Sequence, residues 1–471
     1  IKDINKIQKN LFKNNNPELI IANDALNIVK GHPEYLNIFK KHSFFKFFYF
    51  FFKYSIFNFY HLLCSLTFIR PNNINLKKNL DHLIISHLIV DKKKSDINHK
   101  EFYFNEFEKN SFFRKKKNFK IYINHTKKFK KGFYNKKVVI LPKYSNFKYY
   151  LFHLLRLYCL FFKYFFYSIF CKTYEAFLFK KIAIEFINPK TLNNLSIKKN
   201  LEKIFLNSEI KKVFFTFEGF PWERFLCLAV KKNIKNCQIF GYQFAVLLKH
   251  QNSMFAKIPK IYFPDVVLTS GVNNYKILKK FFSKVFIIGS SRFMKKKNNN
   301  LKKNNCLVLP EGIDSECILL LNFIIKNASR IPNIKFIIRF HPLTNVSKIK
   351  KYLHDNIKIK NLEISTKSLS YDLKRSSFCL HRGSTSAISA TQNGLMPFYL
   401  NDPNDLNIDP MFQISKKGRY LNNFSGFNGL IKRKPYIQKR FSENIRKKAK
   451  QFFIKFDNNK LKLLLNNQIK L

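Results

Sequence analysis

The chain has no CxxC pair, no paired Cys/His spacing and no DxD triplet, and nowhere a clean uncharged apolar run of about 18 residues. Each absence excludes something. Eight cysteines lie scattered at 64, 159, 171, 227, 237, 306, 317 and 379, which argues against a zinc site or a disulfide framework and fits a reducing cytoplasm. Acidic residues are scarce, 28 Asp plus Glu against 87 Lys plus Arg, a net charge of +59. Alone, that balance points to nucleic acid, an anionic bilayer surface or a phosphorylated ligand. The enriched residues, Lys, Asn, Phe, Ile and Tyr, share A/T-rich codons, however, and the lysines are spread along the whole chain, so a solvated basic surface accounts for much of the excess. No nucleic-acid partner is expected. The chain opens on Ile1 instead of Met, so these residues carry no information about a signal peptide.

A length of 471 residues is too great for one ordinary core, and an apolar fraction of 46% is ample for two. Residues 1–80 read as a helical, aromatic-basic extension. Its run from Phe44 to Ile69 is interrupted by Lys46 and Lys53, and a second run, Tyr149 to Cys171, carries Arg156 and Lys163. Two readings fit these runs: helices lying in the headgroup layer of an anionic membrane, or core helices between domains. From Asp81 the pattern becomes short apolar runs alternating with polar helical segments, including "HLIISHLIV", "KKVFFTFEG" and "KVFIIGSSRF". This is the rhythm of buried parallel strands. Residues 81–300 are thus expected to form one Rossmann-like domain, and 294–305 reads as a linker. A second βα series, 301–440, opens with "CLVLPEG" and "IKFIIRFHP". A basic helix over roughly Phe441 to Leu465, within the closing segment 441–471, is long enough to cross back over the first domain.

In open α/β sheets, ligands bind beyond the carboxyl ends of the strands. The chain's polar signals collect there. His341-Pro342 ends one run, Glu311-Gly312 ends the run before it, and "HRGSTSA" (His381 to Ala387) forms a strand-to-helix turn. Gly383 permits a tight turn while Ser384 and Thr385 offer hydroxyls, a set suited to phosphate or simply to capping a helix. Arg382 reads either as a phosphate partner or as a solvated surface charge. Pro342 holds the preceding residue extended, which places the His341 imidazole at the sheet's rim as a donor or general acid. His32-Pro33 lies outside any βα series and is set aside. In "FEGFPWE", Glu218 ends an apolar run, where partial desolvation would raise its pKa toward that of a useful base. Glu223, in the first turn of a helix opened by Pro221, has the dipole to explain it. His87 and His125, near strand ends of the first domain, read as acceptor contacts or, better, as structural histidines, and Glu363 as a ribose contact or a surface carboxylate. The nearest approach to DxD is Asp402 with Asp405, so no metal is expected.

Together, "FEGFPWE" (Phe217 to Glu223), "GSSRF" (Gly289 to Phe293), "LPEG" (Leu309 to Gly312), "RFHP" (Arg339 to Pro342) and "RGSTSA" (Arg382 to Ala387) resemble bacterial surface-carbohydrate biosynthesis proteins with a GT-B glycosyltransferase fold. More distantly they are similar to sialyltransferases and Kdo-transferases marked by acidic-Gly, His-Pro and Ser-Ser/Thr motifs. The resemblance runs in order from about Asp81 to Asp402. It implies an α/β, GT-B-like architecture of two facing Rossmann-like domains with a helical N-terminal extension. It also implies transfer, inverting and without metal, from a nucleotide-sugar donor, CMP-linked among the candidates, to a glycan or lipid-linked acceptor of capsule, lipopolysaccharide or another surface polysaccharide. Work at the inner face of the plasma membrane, with peripheral contact to anionic lipid, goes with that reading. Carried over by motif, His341 contacts the donor phosphate, Ser384 and Thr385 hold it, and Glu218 is the base. The family pattern has two acids before the glycine, and here the first is Phe217. A non-catalytic nucleotide- or carbohydrate-binding protein on the same fold is the alternative that this departure leaves open.

Overall fold

A computed structural model describes residues 19–20, 44–66, 79–88, 102–124, 133–134, 138–142, 144–206, 208–251, 253–293, 304–341, 344, 346–347, 349, 359–403, 407–432, 435–466 and 468. Most of the extension, residues 294–303 of the 294–305 linker, His125, Pro342 and Asp405 lie outside these residues, and Asn305 of that linker opens the first strand of the second half.

Two sheets organise the chain. The first contains β1 (Leu80–His87), β2 (Asn118–Ile123), β3 (Phe133–Tyr134), β4 (Val138–Ile140), β5 (Ile210–Thr216), β6 (Gln238–Gln243), β7 (Val266–Thr269) and β8 (Val285–Ile287). Their order is β3-β4-β2-β1-β5-β6-β7-β8, parallel throughout except for the β3–β4 pair. The second contains β9 (Asn305–Leu309), β10 (Lys335–Ile338), β11 (Leu362–Ile364), β12 (Phe378–His381), β13 (Met396–Leu400) and β14 (Tyr420–Leu421), all parallel, in the order β11-β10-β9-β12-β13-β14. That is the doubly wound 3-2-1-4-5-6 order, and β4-β2-β1-β5-β6-β7 repeats it in the first sheet. The strands formed where the apolar runs stood because a parallel strand is covered on both faces and need not alternate. In β5, six of seven residues are buried. The two-residue strands β3 and β14 carry no such run.

Between β4 and β5 the chain inserts three helices, α2 (Phe147–Phe170), α3 (Thr173–Ile187) and α4 (Pro189–Phe205), against which the aromatic helix α1 (Phe44–Leu66) packs. Asn146 caps α2 by accepting from the Tyr149 amide, and Asn188 followed by Pro189 starts α4. One side of α1 and α2 is thereby buried. Phe47, Phe51, Leu62, Leu154, Leu157 and Phe161 join one apolar cluster with Leu178, Ile182 and Phe186. No described helix is long and apolar enough to cross a membrane.

The closing segment departs from the single crossing helix that the sequence suggested. It forms α9 (Pro435–Ala449), then a turn and a short non-helical stretch, then α10 (Asn458–Leu465), labelled after α5 (Pro221–Asn233), α6 (Asp314–Asn327), α7 (Leu369–Lys374) and α8 (Ser386–Gln392). The break has a tertiary cause. Residues 451–457 lie along the ends of β7 and β8, with hydrogen bonds from Asn273 N to Gln451 O (3.2 Å), Ile454 N to Ser270 O (3.1 Å), Ser290 N to Ile454 O (3.0 Å) and Asp457 N to Ile288 O (2.9 Å). Asp457 then caps α10 at the Lys460 amide. α9 packs on α8 and β13 of the second half while α10 buries Leu461 and Leu464 in the first. Two α/β halves tied by a crossing C-terminal segment make a GT-B-like architecture.

Gly289 permits the crossing. Its φ is +90°, and a Cβ there would run into the Lys455 carbonyl. Gly289→Ala should therefore lower unfolding stability by about 1–3 kcal/mol in urea titration, through backbone strain and displacement of the strap. An unchanged midpoint would show that the strap does not hold the halves together.

Candidate functional site

Strand order reverses between β1 and β5 and again between β9 and β12, and at such points the loops beyond the carboxyl ends splay apart to leave a crevice. The candidate residues leave these strands, except His341, which follows the neighbouring β10. Glu218 follows β5, Glu311 and Gly312 follow β9, His341 follows β10, and Gly383, Ser384 and Thr385 follow β12.

On the second half these residues are in contact. Gly383 has φ +79°, and a Cβ on it would lie 2.7 Å from Glu311 Oε2. A Cβ on Gly312 would lie 2.8 Å from His341 Nδ1. The two glycines are thus the spaces in which the carboxylate and the imidazole sit. Burial raises the Glu311 pKa, while the Gly312 backbone donor and the nearby His341 oppose that shift. Ser384 is buried and Thr385 is half-exposed. Thr385 occupies the N-cap position of α8 without capping it by its side chain, so the plain helix-capping reading does not describe its hydroxyl.

That hydroxyl has a different partner. Arg292 Nη2 donates to Thr385 Oγ1 at 2.9 Å, joining the loop after β8 to the loop after β12. The guanidinium stacks on Phe453 of the crossing segment, 4.3 Å from its ring centroid. Burial lowers the Arg292 pKa, and the charge of Glu218 counters this. Sequence reasoning quoted "GSSRF" without giving Arg292 a role; its only available signal was an arginine just past a strand's carboxyl end.

Glu218 is half-buried, and burial raises its pKa to about 7, against the lowering influence of Arg292. Glu223 is fully buried and takes a structural part. Its Oε2 accepts from the amides of Glu218 (2.9 Å), Gly219 (2.6 Å) and Phe220 (2.9 Å), closing the turn into α5. Burial and the neighbouring Glu218 push the Glu223 pKa up, and those amides oppose them. Phe217 is fully buried, with its ring beside Phe215 and Phe282. Position 217 therefore faces the core, and Glu218 is the acid presented at the strand end.

Two expected ligands are placed elsewhere. Arg382 is not a solvated surface charge: it is fully buried, its Nε donates to Glu316 Oε2 of α6, and its Nη1 donates to the Leu400 carbonyl at 3.1 Å. Glu363, the middle residue of β11 and opposite Ile337 of β10, is held in a fork by Arg375 and by Lys335 at 2.8 Å. The Arg375 hydrogen bond, with help from Lys335, lowers its pKa to about 2. A ribose would have to displace two cations there. His87 has its Nε2 3.1 Å from Thr216 Oγ1 and its ring edge-on to Trp222. Among the described residues there is no cluster of three or more His, Cys, Asp or Glu side chains able to hold a metal ion.

Comparison with protein-family models finds no match, and comparison with curated proteins finds none. Among solved structures the chain is similar to TarM (16% identity, 58% of this chain and 58% of that one, TM-score 0.37), so it spans less than two thirds of TarM. It is also similar to the glycotransferase of kitacinnamycin (7%, 83% and 100%, TM-score 0.47) and to the wall teichoic acid polymerase TagF (11%, 83% and 90%, TM-score 0.42).

Arg382→Met should lower unfolding stability by about 3–5 kcal/mol, because Glu316 would lose its partner in a water-poor site. Chemical denaturation reads this directly, and a stable variant that had lost nucleotide affinity would return Arg382 to the ligand set.

Proposed function

We propose that the protein is a glycosyltransferase that moves a sugar from a nucleotide-activated donor to a glycan or lipid-linked acceptor of surface-polysaccharide synthesis, with inversion and without metal. Three contacts beyond the strand ends carry the reading: His341 lies against Gly312, Glu311 against Gly383, and Arg292 of the other half donates to Thr385, with Glu218 near enough to Arg292 for their charges to act on each other. The likeness of the motifs to sialyl- and Kdo-transferases supports a CMP-linked donor as the first to try.

In this mechanism the donor phosphate lies against Thr385, Ser384 and Arg292, whose guanidinium supplies the positive charge once expected of Arg382. The Glu218 carboxylate removes the acceptor hydroxyl proton. The acceptor oxygen then bonds to the anomeric carbon from the face opposite the phosphate. The bond from that carbon to the phosphate oxygen breaks with its electron pair staying on the oxygen, and His341 donates a hydrogen bond or a proton to it. Glu218 is suited to the part because burial has brought its pKa near neutrality, where a carboxylate is both available and basic.

His341→Ala should keep its fold and lose about 10²- to 10⁴-fold in transfer rate, the usual contribution of a positioned acid. Donor turnover at the wild-type rate in that variant would contradict the mechanism, and nucleotide binding without any donor turnover in the wild type would favour the non-catalytic alternative. Since Glu218 must lose its proton to act, the rate should climb as pH rises to about 7 and then level off. Glu218→Gln should abolish that limb along with most of the activity. A limb near 4.5, the ordinary value for a glutamate, would mean that a solvated carboxylate is the base.

A further inference from the structure

The helices α1 and α2 each bury one apolar side in the protein and present a second one outward. On α1 the exposed residues Tyr49, Phe52, Ile56, Phe59, Leu63 and Leu66 recur at three- and four-residue spacing, and on α2 Phe152, Leu155, Cys159, Phe162, Phe166 and Ile169 do the same. Each stripe runs about 26 Å along its helix at 1.5 Å per residue. The two helices pack together through the rings of Phe47, Phe51 and Phe161, so the two stripes lie on neighbouring helices. Codon bias toward Phe does not explain this, because bias would scatter exposed rings over the whole surface. Of the 22 large apolar side chains exposed among the described residues, eight are on α1 and seven on α2. A soluble surface rarely carries so continuous an apolar patch without a partner.

Charge identifies the partner. Neither helix contains an Asp or a Glu, while Lys53, Lys148, Arg156 and Lys163 stand on them. The Lys53 ammonium lies 5.4 Å from the exposed Tyr49 ring and the Lys163 ammonium 5.9 Å from Tyr167. Aromatic rings flanked by ammonium groups match the boundary between acyl chains and anionic headgroups. A second copy of this chain fits poorly, because a two-fold contact would set these basic helices against themselves with no acid on either to pair them. We propose that α1 and α2 form a docking face for an anionic bilayer, lying in the headgroup layer without crossing it. The inference does not rest on the proposed reaction, although a face of this kind would bring the site to a lipid-linked acceptor.

The full chain, mixed with phosphatidylcholine vesicles with and without phosphatidylglycerol, should cosediment with the anionic ones and be released as salt rises. The variant F52S/F59S/F162S/F166S alters only exposed rings. It should keep the wild-type circular dichroism and melting temperature while its vesicle affinity falls more than about tenfold, the rings no longer entering the acyl boundary. Absence of cosedimentation, or equal binding by the variant, would overturn the proposal. So would a concentration-dependent doubling of mass in light scattering that the variant abolishes, since the face would then belong to a second copy.

Discussion

Residues 451–457 are the constraint on which the rest depends. They leave α9, which is packed on the second half, through a turn over 451–453, and residues 454–457 then run bonded to Ser270, Ile288 and Ser290 at the strand ends of the first. The bonds are main-chain to main-chain, so they fix the position of the strap to within a hydrogen bond's tolerance. Arg292 leaves β8 beside this contact and is held against Phe453 of the strap itself. The reach of its guanidinium to Thr385 is therefore set by the same backbone that sets the relation of the two halves.

Two pairs of like residues take opposite parts, and in each pair burial and partners decide. Glu223 is committed to three amides of the turn before α5, while Glu218, whose own amide is one of the three, keeps a carboxylate that burial has made basic. Arg382 stands in the motif nearest to the proposed phosphate and is locked by Glu316. Arg292, 90 residues earlier by the numbering, supplies the cation at the Thr385 hydroxyl. A turn built on Gly383, with its left-handed backbone, carries Ser384 and Thr385 to the rim while the arginine before it goes into the core.

The fold was legible in the sequence because parallel strands are apolar on both faces, so runs such as "VFFT" and "CLVL" announce themselves locally. The rim residues were legible for a related reason, being the first polar groups after such runs. Other features depend on contacts far along the chain and leave no local trace. Whether Arg382 faces inward is decided by Glu316, and whether Glu363 is open to a ligand is decided by Arg375 and Lys335. The closing helix breaks because its carbonyls and amides find partners on another sheet, and its sequence alone reads as continuous. Arg292 was missed because the residue that gives it meaning, Thr385, sits in the other half.

The central claim is that His341, Thr385 and Arg292 bind one anion between them. Crystals of the protein soaked with CMP and with UDP test it most directly. The account predicts a phosphate within hydrogen-bonding reach of the His341 imidazole and the Thr385 hydroxyl, with the Arg292 guanidinium turned toward it. A nucleotide found away from these three side chains, or held by Glu363 and Arg382 instead, would contradict it.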